Sequence, residues 1–328
     1  MLAQILQTLP QVLIDGLTLG AVYAVIAIGY TMVYGILELI NFAHGEIFMT
    51  GAFIGTAILL TFTGLGWLSF MPAIIVLLIV LLVTSVLTGF LGMGIERVAY
   101  RPLRNAPKLI TLITAIGVSF LLQDIVRFIA ELKQGNYIVN APELFNGQMK
   151  LKISTILPQL HDASFKMTFL VVIVVAFVMM FGLNLFVNRS KWGMAIRAVA
   201  QDRETAALMS INVNKVISVT FFVGSALGGA TGVLFTIQYG TIDPYIGFIL
   251  GIKAFTAAVL GGIGNIRGAM AGGLIIGMLE MFAAANLSEI TGGMFGAEYK
   301  DVFAFIILIV VLIFKPEGLF GKAIVEKV

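Results

Sequence analysis

The sequence predicts an all-α, polytopic membrane bundle of about nine spans (range 8–10), with the N-terminus outside and the C-terminus cytoplasmic. Three observations predict it. Of 328 residues, 59% are hydrophobic and 11% charged, and the mean hydropathy is +1.05, whereas soluble domains carry roughly 25% charged residues. Several apolar runs approach or exceed the ~20 residues that a helix needs to cross a bilayer. Basic residues cluster in loops beside those runs, and no Lys or Arg precedes Arg97, so the positive-inside rule assigns the faces.

The same composition closes off other classes. A net charge of +3 is no footprint for nucleic acid when its basic residues sit where topology requires them. Cys is absent, which excludes disulfides, thiolate metal sites and Cys nucleophiles. Two histidines, His44 and His161, are too few for a His-rich metal site. The opening residues, MLAQILQTLPQVLIDG, lack the basic region of a cleavable signal. No GxxxxGK[ST], HExxH or GxSxG motif is present, so enzyme chemistry finds no support. If ATP drives the protein, the motor is a separate chain.

In order, residues 1–10 read as an amphipathic lead-in ending at Pro10, followed by a first span over 12–34. The next stretch, GILELINFAHGEIFMTG, puts Glu38, Asn41, His44 and Glu46 between two apolar runs without the Lys or Arg of an ordinary loop. Ionisable groups at membrane depth are costly and face a bundle interior or a water-filled path. Gly35, Gly45 and Gly51 would let the helix break and re-form there; the alternative is a tight, wet turn at the interface. The second span covers 46–62, Trp67 is an interfacial anchor, and Pro72 opens a third span that runs to 95. ERVAYRPLRNAPK is a cytoplasmic loop, 109–128 a fourth span, and 131–166 an outer loop containing Pro142 and Pro158. A fifth span covers 167–187.

Residues 188–215, NRSKWGMAIRAVAQDRETAALMSINVNK, form a cytoplasmic loop with Arg189, Lys191, Arg197, Arg203 and Lys215. Its interior has helix signals. Residues 193–200 can make a short helix, and Asp202 is placed to N-cap a second through Glu204, Ala206 and Leu208. Asn212 could end that second helix in a left-handed conformation. A compact helical knob suits docking to a soluble partner, while a plain topology-setting loop is the alternative.

The second half repeats the pattern. A sixth span over 216–239 carries Gly224, Gly228, Gly229 and Gly232, whose spacing allows close helix approach. YGTIDPYIGF is a break around Asp243, Pro244 and Tyr245. LGIKAFTAAVLGGIGNIRG holds a seventh span with Lys253 inside and Arg267 at its cytoplasmic end. An eighth span over 269–285 includes Glu280, an outer loop follows, and a ninth span over 299–314 leads to a tail with Lys315, Lys322 and Lys327. Each half thus has one Gly- and polar-interrupted segment, at 35–51 and 239–264, the pattern of transporters built from inverted repeats. Dense helix packing without a pathway would leave the same glycines.

The chain as a whole closely resembles the LivH-type permeases of the bacterial branched-chain amino acid ABC importers. The resemblance runs through GLTLGAVYAVIAIGYTMVYGILELINFAHGE, IERVAYRPLR, AIRAVAQDRETAALMSINVNKVI, YIGFILGIKAFTAAVLGGIGNIRGAMAGGLIIG and EYKDVFAFIILIVVLIFKPEGLFGKAIVEKV. It implies one permease domain over 1–328 of the type II importer fold in the bacterial inner membrane. The implied partners are a LivM-like second permease, two ATPase subunits (LivG- and LivF-like) carrying ATP and Mg, and an external amino-acid-binding protein. This chain binds no cofactor of its own. By the same resemblance Gly193, Arg197, Asp202, Arg203 and Glu204 couple to the ATPases. Asn41, His44 and Glu46, with Glu38, Asp243, Pro244 and Tyr245, belong to broken helices beside the path. The expected mechanism is alternating access: the loaded binding protein docks on 131–166 and 286–299, and a branched aliphatic substrate passes a largely smooth apolar wall. The substrate is not fixed by the resemblance, because urea and amide importers use similar permeases. A proton-coupled transporter or channel relaying through His44 and Glu46 is the rival from another class.

Overall fold

The computed structural model describes residues 2–104, 106–145, 147–151 and 163–321. Pro158, His161, the middle of the expected outer loop, Lys322 and Lys327 lie outside the described residues. The helices are α1 Leu2–Leu37, α2 Ala43–Gly64, α3 Ala73–Ile95, α4 Lys108–Gln134, α5 Met167–Arg189, α6 Lys191–Gln201, α7 Arg203–Leu208, α8 Val213–Tyr239, α9 Ile246–Gly261, α10 Ile266–Ile290 and α11 Lys300–Phe314. Four short strands join them: β1 Val139–Asn140 pairs antiparallel with β4 Thr241–Ile242, and β2 Gln148–Leu151 with β3 Ala163–Lys166. The all-α expectation is therefore amended only in the links, where backbone groups leave the helix ladder and need other partners.

Among the described residues seven helices are long and apolar enough to cross a membrane. The expected seventh and ninth spans form α9, of 16 residues, and α11, of 15 residues, both shorter than the ~20 residues of a full perpendicular crossing.

Three local expectations are corrected. The lead-in and first span are one helix with Pro10 inside it. Asn212 does not end α7; its side chain accepts the Lys215 N–H and starts α8, and Ser210 carries the left-handed conformation, φ 62. Nor do the glycines make the first break. Gly35 lies within α1 and Gly45 and Gly51 within α2, while Glu38, at φ 54, turns the chain, its N–H bonded to the Tyr34 carbonyl at 2.7 Å. A left-handed residue just past a helix is the usual C-terminal stop, here on a side chain that bears some strain for it.

Helix α1 runs through the middle of the molecule; Ala21 to Ile28 are buried on every side, as an all-round apolar helix requires. Its partners repeat in the second half. Helix α1 lies along α10 as α8 lies along α3; α2 meets α8 as α9 meets α1; and α4 packs on α2 as α11 packs on α9. Exchanging α1–α4 with α8–α11 thus maps these contacts onto one another. Glycine lets α1 and α10 approach closely: a Cβ on Gly277 would fall 2.2 Å from the Gly20 N. Helices α3, α4, α5 and α11 instead expose apolar side chains such as Leu82, Ile113, Phe181 and Ile313, a surface suited to lipid or to another membrane chain.

Candidate functional site

Both interrupted segments restart as helices, and the restarts meet. Phe42 precedes α2 without a side-chain cap, and the first turn of α2, Ala43 to Glu46, is wholly buried. Gly45 lies against the start of α9, where a Cβ would sit 2.3 Å from the Gly247 carbonyl oxygen and 3.0 Å from the Gly251 Cα. Glu46 reaches the same crossing: its Oε1 accepts from Ser119 of α4 at 3.2 Å, and Oε2 would contact any Cβ on Gly247, at 2.5 Å. His44 fills a slot between α1 and α8. Its ring meets Tyr30 edge-on, with centroids 4.8 Å apart, and a Cβ on Gly29 would lie 2.2 Å from its Nε2.

The remaining residues of the first break lie elsewhere. Asn41 accepts from the Tyr100 hydroxyl at 2.6 Å, and Tyr100 closes a π turn over Glu96–Tyr100 at the end of α3. Glu96, fully buried, is ion-paired to Arg104 and accepts from Ser218 at 2.6 Å. Arg104 also donates to Asn214 at 2.6 Å. The end of α3 is thereby clamped to the start of α8. Glu38 points outward to Lys108, at 3.4 Å between exposed groups. In the second break Asp243 accepts from the Tyr245 N–H at 2.7 Å, and the Pro244 carbonyl and the Tyr245 hydroxyl take Gln123 and Arg127 of α4. The structure therefore joins Gly45 and Glu46 to the start of α9, seats His44 between α1 and α8, and sets Asn41 and Glu38 apart from Asp243, Pro244 and Tyr245.

The helical knob forms as α6 and α7. Ser190 caps α6 by accepting from Gly193 N–H at 2.9 Å. Asp202 caps α7, accepting from the Glu204 and Thr205 N–H groups at 2.9 and 3.1 Å and from the Thr205 hydroxyl at 2.6 Å. These donors, the Thr205 hydroxyl first, hold its carboxyl below the usual range. Three of the five expected coupling residues turn out to be anchors. Gly193 is buried where a Cβ would lie 2.2 Å from the Val187 carbonyl oxygen, and Arg197 donates to that same carbonyl at the end of α5. Arg203 gives two hydrogen bonds to the Ile36 carbonyl at the end of α1. Glu204 is exposed, and so are the knob's apolar side chains Trp192, Met194, Leu208 (85% exposed) and Met209 (73%). A cavity of about 470 Å³ separates knob from break, lined by Leu37, Glu38, Tyr100, Lys108, Asp202 and Arg203.

One cluster escaped the sequence reading. Lys253 of α9 contacts Glu280 of α10 at 2.8 Å and Asp301 of α11 at 2.7 Å. Lys300 reaches Glu280 at 3.2 Å, and Tyr23 of α1 donates to its other oxygen at 2.8 Å. Lys253 and Glu280 were visible as ionisable residues inside apolar runs; nothing in their spacing says that they face each other.

The family model for "Branched-chain amino acid transport system / permease component" matches residues 12–312. The chain is 46% identical to the high-affinity branched-chain amino acid transport system permease protein BraD of Pseudomonas aeruginosa, with 97% of each chain covered. It is 44% identical to the corresponding protein LivH of Escherichia coli K12, again over 97% of each. A third relative, the fructose import permease protein FrcC of Rhizobium meliloti, is 30% identical over 29% of this chain and 28% of its own. No solved structure matches. With seven span-capable helices and a match over nearly its whole length, this multi-pass membrane protein belongs to the family of branched-chain amino acid transport permease components.

Proposed function

We propose that the chain is a permease subunit of an ATP-driven importer that moves branched-chain amino acids into the cytoplasm by alternating access. The observation that carries the reading is the grip of Arg203 on the Ile36 carbonyl, which ties the knob to the point where α1 gives way to α2. A displacement of the knob then acts on the paired restarts of α2 and α9 rather than on a loose loop. In this reading α9 and α11 complete a nine-span bundle with the N-terminus outside, in the cytoplasmic membrane of a bacterium. A second permease closes the path, and two ATPase subunits holding ATP and Mg bind the knob. An amino-acid-binding protein docks on the opposite face, and this chain performs no chemistry. The broad identity to permeases of branched-chain amino acid systems supports the substrate class.

Radiolabelled leucine uptake into proteoliposomes holding all subunits tests it. Uptake that requires ATP and survives collapse of the proton gradient is expected. Uptake that follows the gradient without ATP would replace this reading with a proton-coupled one through His44 and Glu46.

A further inference from the structure

Helix α4 carries a charge on an exposed face, where lipid would be a costly neighbour. Its buried face is Thr111, Ala115, Ser119, Leu122, Val126 and Ala130. At about 100° per residue, Asp124 lies roughly opposite Ala115 and so points directly away from this chain's own bundle. It sits roughly 15 Å along the helix from Gln134, at ~1.5 Å per residue. Around it on the same face are Phe120, Leu121 and Phe128, 56%, 58% and 61% exposed. Asp124 is exposed and has no hydrogen bond or ion pair among the described residues. A carboxylate set among exposed aromatic and aliphatic groups in a membrane helix faces water or a polar partner, since lipid would make it costly.

Arg127, one turn further along the same face, complements it. Its side chain is 45% exposed, with Nε 3.3 Å from Glu131 and Nη1 3.5 Å from the Tyr245 hydroxyl of the second break, which leaves Nη2 and the outer Nη1 proton to donate elsewhere. An acid and a guanidinium at i and i+3 are neighbours on a helix.

Resting on the amino-acid permease reading above, we infer that Asp124 and Arg127 read the zwitterionic head of the substrate as it passes between this chain and the second permease. Asp124 takes the ammonium and Arg127 the carboxylate, whose geometry matches the guanidinium fork. The aliphatic side chain lies along Phe120 and Leu121. A head-group contact at one level of the path is compatible with a smooth apolar wall elsewhere, and it separates an amino acid from an uncharged amide or a sugar. Tyr245 joins the pair to the start of α9, so rearrangement at the α2/α9 crossing alters the site.

Because the chain contains no Cys, accessibility can be read directly. In the complete transporter in proteoliposomes, Asp124→Cys and Arg127→Cys are expected to react with a water-soluble, membrane-impermeant methanethiosulfonate. Leu82→Cys, on the exposed apolar face of α3, is expected not to react. Asp124→Asn and Arg127→Gln should each cut leucine uptake by roughly tenfold or more, with assembly and basal ATP hydrolysis intact and with Asp124→Glu retaining most uptake. Unreactive cysteines at 124 and 127 would overturn the inference, because both residues would then be packed against lipid or protein. Wild-type uptake in both neutral variants would overturn it as well. If the wild-type complex moves no leucine, the amino-acid reading itself fails, a result separable from either of these.

Discussion

The guanidinium of Arg203 holds the carbonyl of Ile36, 167 residues earlier, in the last turn of α1. The final carbonyls of a helix lack intrahelical partners, so a cation there satisfies the acceptor and complements the helix dipole. One residue of the knob thus caps the central helix just ahead of the Glu38 turn. Arg203→Ala should uncouple the machine: ATP hydrolysis by the assembled complex persists while leucine uptake falls by about tenfold or more. Arg203→Lys should rescue little, because an ammonium cannot reproduce two donors from a planar fork. Parallel uptake and hydrolysis assays check both.

Docking should follow the outer face of the knob rather than its anchors. Leu208→Asp combined with Met209→Asp removes two of its most exposed apolar groups and should release the ATPase subunits on affinity purification, with the thermal unfolding of the permease unchanged. Arg197→Ala should lower the unfolding temperature instead, since it strips a partner from the Val187 carbonyl.

The α2/α9 crossing tolerates no side chain at Gly45, where a Cβ would lie 2.3 Å from a backbone oxygen. Gly45→Ala should destabilise the purified protein by about 1–3 kcal/mol, the usual result of forcing carbon into a packed interior. Gly94→Ala, in open space on α3, is the matched control. Thermal unfolding in detergent compares the two.

The buried cluster in the second half predicts an asymmetry. Lys253→Met takes from Glu280 and Asp301 their shared cation; with Lys300 and Tyr23 still on Glu280 and Asp301 partly exposed, the cost should be about 1–3 kcal/mol. Pairing it with Glu280→Gln should recover part of that loss, because a neutral amide is less expensive to bury than an unpaired carboxylate. Chemical-denaturation midpoints of the single and double variants measure the coupling.

Acid should loosen the knob before the bundle. The hydrogen bonds to Asp202 favour its charged form and depress its pKa in the folded state. Their stabilisation is present above the ordinary Asp value, near pH ~3.9, and is lost as pH falls through the lower folded value. Hydrogen exchange at Glu204 and Thr205 should rise across that acid range in wild type and be high at every pH in Asp202→Ala.

The spans were legible because an apolar run long enough to cross a bilayer has few other fates. Helices α3 and α5 begin and end within a few residues of their expected bounds. Pro72 and Asp202 worked as boundary signals because their effects are local, one through a missing N–H and the other through acceptor oxygens two and three residues ahead. Pro10 and Asn212 misled for the complementary reason: a proline can stay inside a long membrane helix, where its surroundings re-satisfy the carbonyl it frees, and Asn caps either end.

What the sequence determined by itself was the class, the segments and their family, since hydropathy, turn chemistry and motif identity are properties of neighbours along the chain. Only the tertiary structure decided what those residues touch. It made Arg197 and Arg203 anchors, sent the side chains of Asn41 and His44 to different partners, turned Gly45 and Gly51 from breakers into contact surfaces, and brought Lys253, Glu280 and Asp301 onto one another. Each of these depends on which helices lie side by side, and close packing of distant helices leaves no trace in local spacing.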